Sequence, residues 1–564
     1  MDAQLGFSPR RRFLLRGLMF ASATGLLAAC SPSAAPARPA EAPKPPAAPT
    51  EPPKPAATQP VQTAPATAKP AAATAPAKNE IVIAHAGQNA QEVSMDPNFE
   101  STEATVHLNM FDTLVRPTRS DTDPPKFGFE PGLAESWKSV DPTTWEVKLR
   151  AAKFHDGSDV SGEDVKYTFD FVTNKDNPPD VRSRMAANGV FEGLTEVQVV
   201  DPRTVRIKTS QPLPTFEPKL SRLYIVPKAY HQKVGPLEFG LKPVGTGPFK
   251  FASWSKGEQV VLEAFDGYWG GAPAIKKATF KQVIESAQRA NMLKAGQADL
   301  VNDIPPNMFE GLKTEGKYET IVLKSMQHVL MGIDARQGPL ADVRVRQAIN
   351  YAVNRDEMIE RLFKGFARRA VTTVADGLPG FTAQVNSMYP FDLEKARRLM
   401  AEAGHPNGFE TGLLFSEGRL FLGREWTQAV VGYLEKLNIR ATIETADGAQ
   451  RLQRIREGKV PGLFLTSLLN QDIDAESPFR LWLSKKGRGF YWPQLEVDGE
   501  IEAQRSELNA DKRRTVLEEI NRKAVEHACF LFSHFENAGW AATKGLQVGL
   551  RHDGYILLHK ARFA

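Results

Sequence analysis

The segment spanning residues 326–363 constrains the fold most, because its apolar period changes partway along. Val329, Met331 and Ile333 fall on one face at period two, which predicts a strand, and Gly338 with Pro339 then breaks the pattern. Asp342 is a good helix N-cap, and Val345, Ala348, Ile349, Ala352 and Val353 repeat at the spacing of a buried helical face. Asn354 and Asp356 mark a joint. Met358, Ile359, Leu362 and Phe363 restart the stripe, and Gly365 supplies a left-handed residue to end it. The chain before this strand reads as one body, and most of the chain from the helix onward as another.

Bulk properties agree with two bodies. At 564 residues the chain exceeds the size at which a single core stops growing, and 41% hydrophobic residues suffices for at least two. The formal charge of +5 does not describe them. Residues 1–30 hold +3 and residues 31–79 another +3, which leaves −1 for residues 80–564. A nearly neutral body has no electrostatic footprint for nucleic acid, so no nucleic-acid partner is expected. Residues 31–79 contain 14 Pro and 17 Ala among 49 positions and no aromatic side chain, so they cannot build a core. Proline favours extended backbone, and such a tether reaches roughly 150 Å if straight and about 40 Å if coiled.

The start of the chain explains what the tether is for. Arg10, Arg11 and Arg12 precede an apolar run at 18–29, the charged and hydrophobic parts of an export signal, and the run is too short to span a bilayer. Arg10 and Arg11 followed by Phe13 and Leu14 resemble a twin-arginine signal, although an ordinary secretory signal with a basic start has the same features. Leu27 Ala28 Ala29 Cys30 resembles the bacterial lipobox, which implies cleavage before Cys30 and acylation of its sulfur. Several acyl chains on one terminus hold a protein to a membrane far better than one. The other cysteine, Cys529, sits in an apolar run and reads as a small buried hydrophobe.

The folded part carries a series of local motifs. Ile81 Val82 Ile83 Ala84 reads as a strand, Met95 Asp96 Pro97 as a turn, and residues 106–115 as a short helix. Trp145, Val147 and Leu149 alternate with Glu146 and Lys148 as a half-buried strand, and Ser161 with Asp164 makes a capping-box start for a helix through Val165, Phe169 and Val172. Val197, Val199, Val205 and Ile207 flank Asp201 Pro202 Arg203 Thr204 as a hairpin. Pro243 Val244 Gly245 Thr246 Gly247 Pro248 Phe249 lacks the third glycine of a dinucleotide loop, and Pro248 removes an amide that a phosphate cradle needs. Gly311 and Gly316 Lys317 mimic a phosphate loop, but Tyr318 stands where a Ser or Thr hydroxyl is required. Later come an amphipathic helix ending at Gly404, another over 426–437 ended by Asn438, an alternating strand at Ile439, Ala441 and Ile443, an apolar strand at 462–468 and a long helix at 511–528.

Several of these, with residues 339–352, 130–137, 153–157, 268–273, 293–299 and 391–406, resemble the family 5 solute-binding proteins of ATP-driven importers, the peptide and nickel binders. The resemblance covers residues 80–564. It implies an α/β fold, a two-lobed periplasmic-binding-protein-like clamshell (type II, large cluster) with two interlobe crossover strands. The expected division is a signal peptide at 1–30, a tether at 31–79, lobe I at 80–330, lobe II at 331–534 and a return to lobe I at 535–564.

The resemblance also implies a function: a lipid-anchored, monomeric substrate-binding protein of an ABC importer, at the cell envelope facing the periplasm or exterior. Its partners are then a small-molecule or peptide ligand, permease subunits and, through the N-terminal lipid, the membrane. Peptide binders of the family place an aspartate for the ligand's amino group after the apolar strand, and Asp472 matches it. The Asp Pro that usually comes next is replaced by Asp474 Ala475 Glu476 Ser477 Pro478, so Asp474 is a second candidate and loop capping by both carboxylates is the competing reading. Tyr491 and Trp492 stand where aromatics could stack on a ligand, or equally pack a core. No catalytic residue, cofactor or metal is expected: the ten histidines form no ligand-spaced pair, and His155 beside Asp156 reads as a turn residue. A sensor or chaperone uncoupled from transport is the alternative. A secreted hydrolase lacks a Gly-x-Ser-x-Gly elbow, a zinc signature and a cysteine nucleophile with partners.

Overall fold

A computed structural model describes residues 78–564 apart from 87–93, 99–103, 121, 123–124, 188, 418–419, 471 and 552. The export signal, Cys30 and tether residues 31–77 lie outside the described residues.

Two long antiparallel strands, Tyr318–Ile333 and Phe530–Thr543, pair from Tyr318 opposite Thr543 to Gly332 opposite Phe530. The first has 16 residues, and at about 3.3 Å per residue it extends about 50 Å, more than one core requires. The buried side chains sort accordingly. Leu323, Trp540 and Ala542 pack with Ile83, Phe249 and Phe280 in the core of lobe I, whereas Met326, Leu330, Phe532 and Phe535 pack in lobe II. Between these groups the pairing slips: Lys324 opposes Asn537, the next pair is His328 with Phe535, and the short strand Ala367–Arg369 pairs with residues 534–536.

The first crossing strand therefore begins nine residues before the expected Gln327. Its lobe I half pairs only with the second crossing strand and leaves Val322 and Lys324 exposed, so it lacks the apolar alternation that marks its lobe II half. The segment suspected of mimicking a phosphate loop is helix Pro306–Glu315, closed by Gly316 in the left-handed region.

In lobe II the first crossing strand pairs antiparallel with Gly462–Leu469, which lies parallel to Glu410–Phe415, itself parallel to Arg440–Thr445. A strand buried on both faces reads as a nearly continuous apolar run, as 462–468 does apart from Thr466 and Ser467. Gly332 faces Phe464 across this pairing, and a Cβ there would sit 2.1 Å from the Phe464 ring. Helix Val343–Ala352 starts at Asp342, whose carboxylate accepts from the Arg344 amide at 2.8 Å. Its polar residues tie it to the second crossing strand and to the helix end that precedes that strand. Asn350 donates to the Phe530 carbonyl (2.9 Å) and accepts from the Phe532 amide (3.2 Å), and Arg346 donates to the His527 carbonyl (3.0 Å). The helix resumes at Asn354 as Arg355–Met358 and a π-helical turn, Ile359–Phe363, with Lys364 as well as Gly365 left-handed. Gly404 and Asn438 are left-handed at the ends of helices Leu393–Glu402 and Gly423–Glu435.

In lobe I, Glu80–His85 lies parallel to Lys277–Gln282 on one side and Leu300–Val301 on the other, and Leu300–Val301 joins the second crossing strand at Ala541 and Ala542. A separate four-stranded antiparallel sheet, Ala134–Asp141, Thr144–Leu149, Thr204–Thr209 and Leu194–Asp201, packs on helix Gly162–Thr173, whose Asp164 carboxylate accepts from the Ser161 amide at 2.9 Å. His155 is structural. It accepts from the Gly245 amide (3.2 Å) at Nδ1 and meets the Gly247 carbonyl (3.0 Å) at Nε2. Cβ atoms on Gly245 and Gly247 would sit 2.0 Å and 2.6 Å from the carbonyls of Met110 and Asn109, so glycine is required there for close packing.

Candidate functional site

A cavity of about 960 Å³ lies between the lobes, at the upper end of the usual size for small-ligand sites. Its floor is the crossing strands, through Leu323, Ser325 and Gln327 on one and residues 537–540 on the other. Lobe I contributes Arg222 and the loops at 302–304 and 553–556, and lobe II contributes Asp472, Ser477, Arg480, Trp482 and Arg488.

Asp472, expected from the sequence, lines this cavity, and its Oδ2 accepts from the Ser477 hydroxyl at 2.5 Å. The neighbouring carboxylate turns the other way. Ile473 adopts φ +56°, a costly conformation for a β-branched residue, and this reverses the chain so that Asp474 points inward. There it is buried in a bidentate pair with Arg513, at 2.7 and 2.8 Å, and also accepts from the Glu476 amide at 2.8 Å. Asp474 is thus a structural anchor of the loop and does not line the cavity of about 960 Å³.

The aromatic expectation is corrected in the same way. Tyr491 and Trp492 do not line the cavity. Both are buried in the lobe II core with Phe464 and Phe530, and the Tyr491 hydroxyl donates to the Ile455 carbonyl at 2.6 Å. The aromatic walls come from Trp482, Trp540, Tyr555 and Phe421. Sequence reading missed them because nothing local distinguishes an aromatic facing a cleft from one facing a core.

Electrostatics concentrate where the lobes meet. Glu192 of lobe I sits between two lobe II arginines, 3.1 Å from Arg505 and 3.9 Å from Arg480. Burial alone would raise its carboxyl, but Arg505, with Arg480 and Lys219, outweighs that and holds it below the ordinary range. Glu476 lies 3.3 Å from Arg480 and 3.4 Å from Arg505, and burial still pushes its carboxyl up. Burial disfavours the charge on Arg222 too, yet the Asp472 carboxylate and the phenols of Tyr224 and Tyr555 outweigh it and raise the guanidinium pKa. Arg222 escaped the sequence reading, since a lone arginine in Leu220 Ser221 Arg222 Leu223 carries no local signal. Cys529 is fully buried, which pushes its thiol up to about 12, as suits a packing residue. Among the described residues no cluster of three or more His, Cys, Asp or Glu could hold a metal ion, and no helix is long and apolar enough to cross a membrane.

Residues 128–490 match the bacterial extracellular solute-binding proteins, family 5, middle region. The chain belongs to this family. It is 32% identical over 333 residues to the glutathione-binding protein GsiB of Pectobacterium atrosepticum, a match that covers 58% of this chain and 62% of that protein, so less than two thirds of that relative is spanned. The fold is similar to NikA of Brucella suis in complex with Fe(III)-EDTA (TM-score 0.76, 24% identity, covering 86% of this chain and 100% of that one). It is also similar to the ABC transporter-associated periplasmic binding protein DppA of Helicobacter pylori in complex with the peptide STSA (TM-score 0.74, 22% identity, 86% and 98%). These family 5 relatives are binding proteins, not enzymes, and the two-lobed fold implied by the sequence is theirs.

Proposed function

We propose that this protein is the solute-binding component of an ABC importer, which captures a small polar solute, such as an oligopeptide or a related compound, between its lobes and delivers it to a permease. The observation that carries this reading is the cavity itself: ligand-sized, walled by both lobes, floored by the strands that join them and bordered by the Glu192 ion pairs. A hinge at the pairing slip near Ser325 and Glu536 lets the lobes close on the solute, a few residues absorbing the dihedral change. Asp472 takes a cationic or hydrogen-donating group of the solute. There is no turnover; specificity and closure are the whole activity. Cys30 carries the lipid, and residues 31–79 let a monomeric body range over the membrane on the periplasmic or outer side.

The test is chemical. Protein made in its own host is denatured, and the small molecules it releases are identified by mass spectrometry. A polar compound in near-equal amount to the protein, which raises the melting temperature when added back, supports the proposal. Release of nothing, together with no stabilisation by any member of a peptide, sugar and amino-acid panel, refutes it.

A further inference from the structure

The crossing strands are weakest where their pairing slips. Lys324 opposes Asn537 and His328 opposes Phe535, so residues 325–327 of the first strand stand against Glu536 alone. Gln327 pairs on its other side with Leu469, but Ser325 and Met326 pair with neither neighbouring strand among the described residues. A lobe II segment, residues 365–369, braces this gap from the side. Its strand, Ala367–Arg369, pairs with residues 534–536, and the two residues before it reach past the slip. The Phe366 carbonyl accepts from the Asn537 backbone amide (3.0 Å), the Gly365 carbonyl accepts from the Asn537 side chain (3.2 Å), and the Phe366 ring meets Phe309 of lobe I edge-on at 4.9 Å. Gly539 makes room for that ring, since a Cβ there would lie 2.5 Å from it. Arg368 completes the brace. Its Nη1 donates to the Ser325 carbonyl (2.9 Å) and to Asn537 Oδ1 (3.0 Å), its Nη2 donates to the Asp376 carboxylate (2.7 Å), and the guanidinium lies over the Phe535 ring at 4.7 Å. Arg368 does not line the cavity.

We infer that Arg368 is a positioning residue of the hinge: its guanidinium bridges the slip in the crossing strands and favours the lobe angle at which the two rims meet. This rests on the hinge of the proposed function and names the side chain that biases it. Asp376 and the strand that carries Arg368 belong to lobe II, whereas Asn537 pairs with Lys324 on the lobe I side of the slip. A guanidinium is a planar fork whose donors point in fixed directions. A rotation about the slip moves Asn537 and Ser325 relative to Asp376, and the rigid fork cannot follow both. These bonds are made while Glu192 of lobe I meets Arg505 of lobe II at 3.1 Å, so they belong to the arrangement with the lobes together. Opening exchanges them for bonds to water. The Arg368 side chain is 22% exposed, so the loss is that of ordinary hydrogen bonds and not of a stranded charge. Arg368 therefore tilts the balance between lobe angles without locking it, and leaves a solute to complete the closure.

The experiment is small-angle X-ray scattering of the intact protein washed free of solute, as wild type, Arg368→Met, Arg368→Lys and Asp376→Asn. Glu192→Gln is added as a variant that breaks the rim contact and leaves the slip untouched. Methionine keeps an apolar stem over Phe535 and removes the donors. With the profiles fitted to two lobe angles, the ratio of open to closed molecules is expected to rise roughly three- to tenfold in Arg368→Met, the worth of a net hydrogen bond. Arg368→Lys is expected to rise less, because an ammonium keeps the charge and one of the contacts, and Asp376→Asn to rise in the same direction. A lower melting temperature with an unchanged profile is what a merely structural arginine gives, and it overturns the inference. If Arg368→Met does not fold, wild-type profiles from both Arg368→Lys and Asp376→Asn overturn it equally. Opening in Glu192→Gln but in none of the slip variants overturns the inference and leaves the hinge reading intact; opening in no variant overturns it and counts against the hinge itself.

Discussion

Replacing Asp474 by Ala separates the two neighbouring carboxylates most sharply, because one is held to stabilise the loop and the other to bind solute. The Asp474 and Arg513 side chains are each 8% exposed, and their bidentate contact is at 2.7 and 2.8 Å. Burial alone would lower the Arg513 pKa; Asp474 outweighs it and raises it. Removing Asp474 leaves a buried guanidinium with Gln504 as its remaining side-chain partner, through Oε1 at 2.8 and 3.1 Å and the backbone carbonyl at 3.2 Å. Breaking a buried pair from one side costs about 3–5 kcal/mol. Spread over a lobe of this size, at about 2–4 °C per kcal/mol, the melting transition should fall by roughly 10 °C. The assay is differential scanning calorimetry of solute-free protein, with Arg513→Met and the double variant completing a cycle. Because the double variant leaves no orphaned charge, it should recover part of the loss. A melting temperature within about 1 °C of wild type would refute the assignment of Asp474 as an anchor, since effects that small are typical of surface substitutions.

The same geometry sets other expectations. Asp472→Asn should leave the solute-free melting temperature unchanged and weaken binding of the released solute by roughly ten- to a hundredfold; an unchanged dissociation constant by calorimetry removes Asp472 from the site. Stability should decline in mild acid, because burial lowers the pKa values of His107, His155 and His534 from 6.5 to about 4, 4 and 3. The folded chain then binds fewer protons than the unfolded one, so this stability is complete above pH 6.5 and is lost as pH falls toward 4, by up to about 1.4 kcal/mol per pH unit for each histidine. Melting curves that coincide at pH 7.5 and pH 5 would contradict this. Cys30→Ala should release the protein from the membrane fraction, as read by immunoblot of fractionated cells; retention at the wild-type level would place the anchor elsewhere.

Much of the fold was legible because its signals are local. Asp342 at its helix start, Asn438 and Gly404 at helix ends, and the apolar run of 462–468 each act through neighbours in sequence, and each occupies the expected place. The lobe I half of the first crossing strand was not legible, because one side of it meets no sheet neighbour and its side chains need not alternate. The cavity was harder still. Arg222, Trp482 and Trp540 come from three distant segments that only the crossing strands bring together. Asp472 could be placed from its position after an apolar strand, but the inward turn of Asp474 depends on the φ of Ile473, which no residue type announces. Tyr491 and Trp492 show the same limit: an aromatic pair after a loop fits a cleft and a core equally well, and here the core has Phe464 and Phe530 to receive it.

The central claim is that the two lobes close on a solute in the cavity between them, and small-angle X-ray scattering of the intact protein tests it most directly. Profiles are recorded without solute and at saturation with the compound released from protein made in its own host. Closure about the pairing slip near Ser325 predicts a smaller radius of gyration and a shorter maximum dimension in the saturated sample. Superimposable profiles at proven saturation would contradict the account.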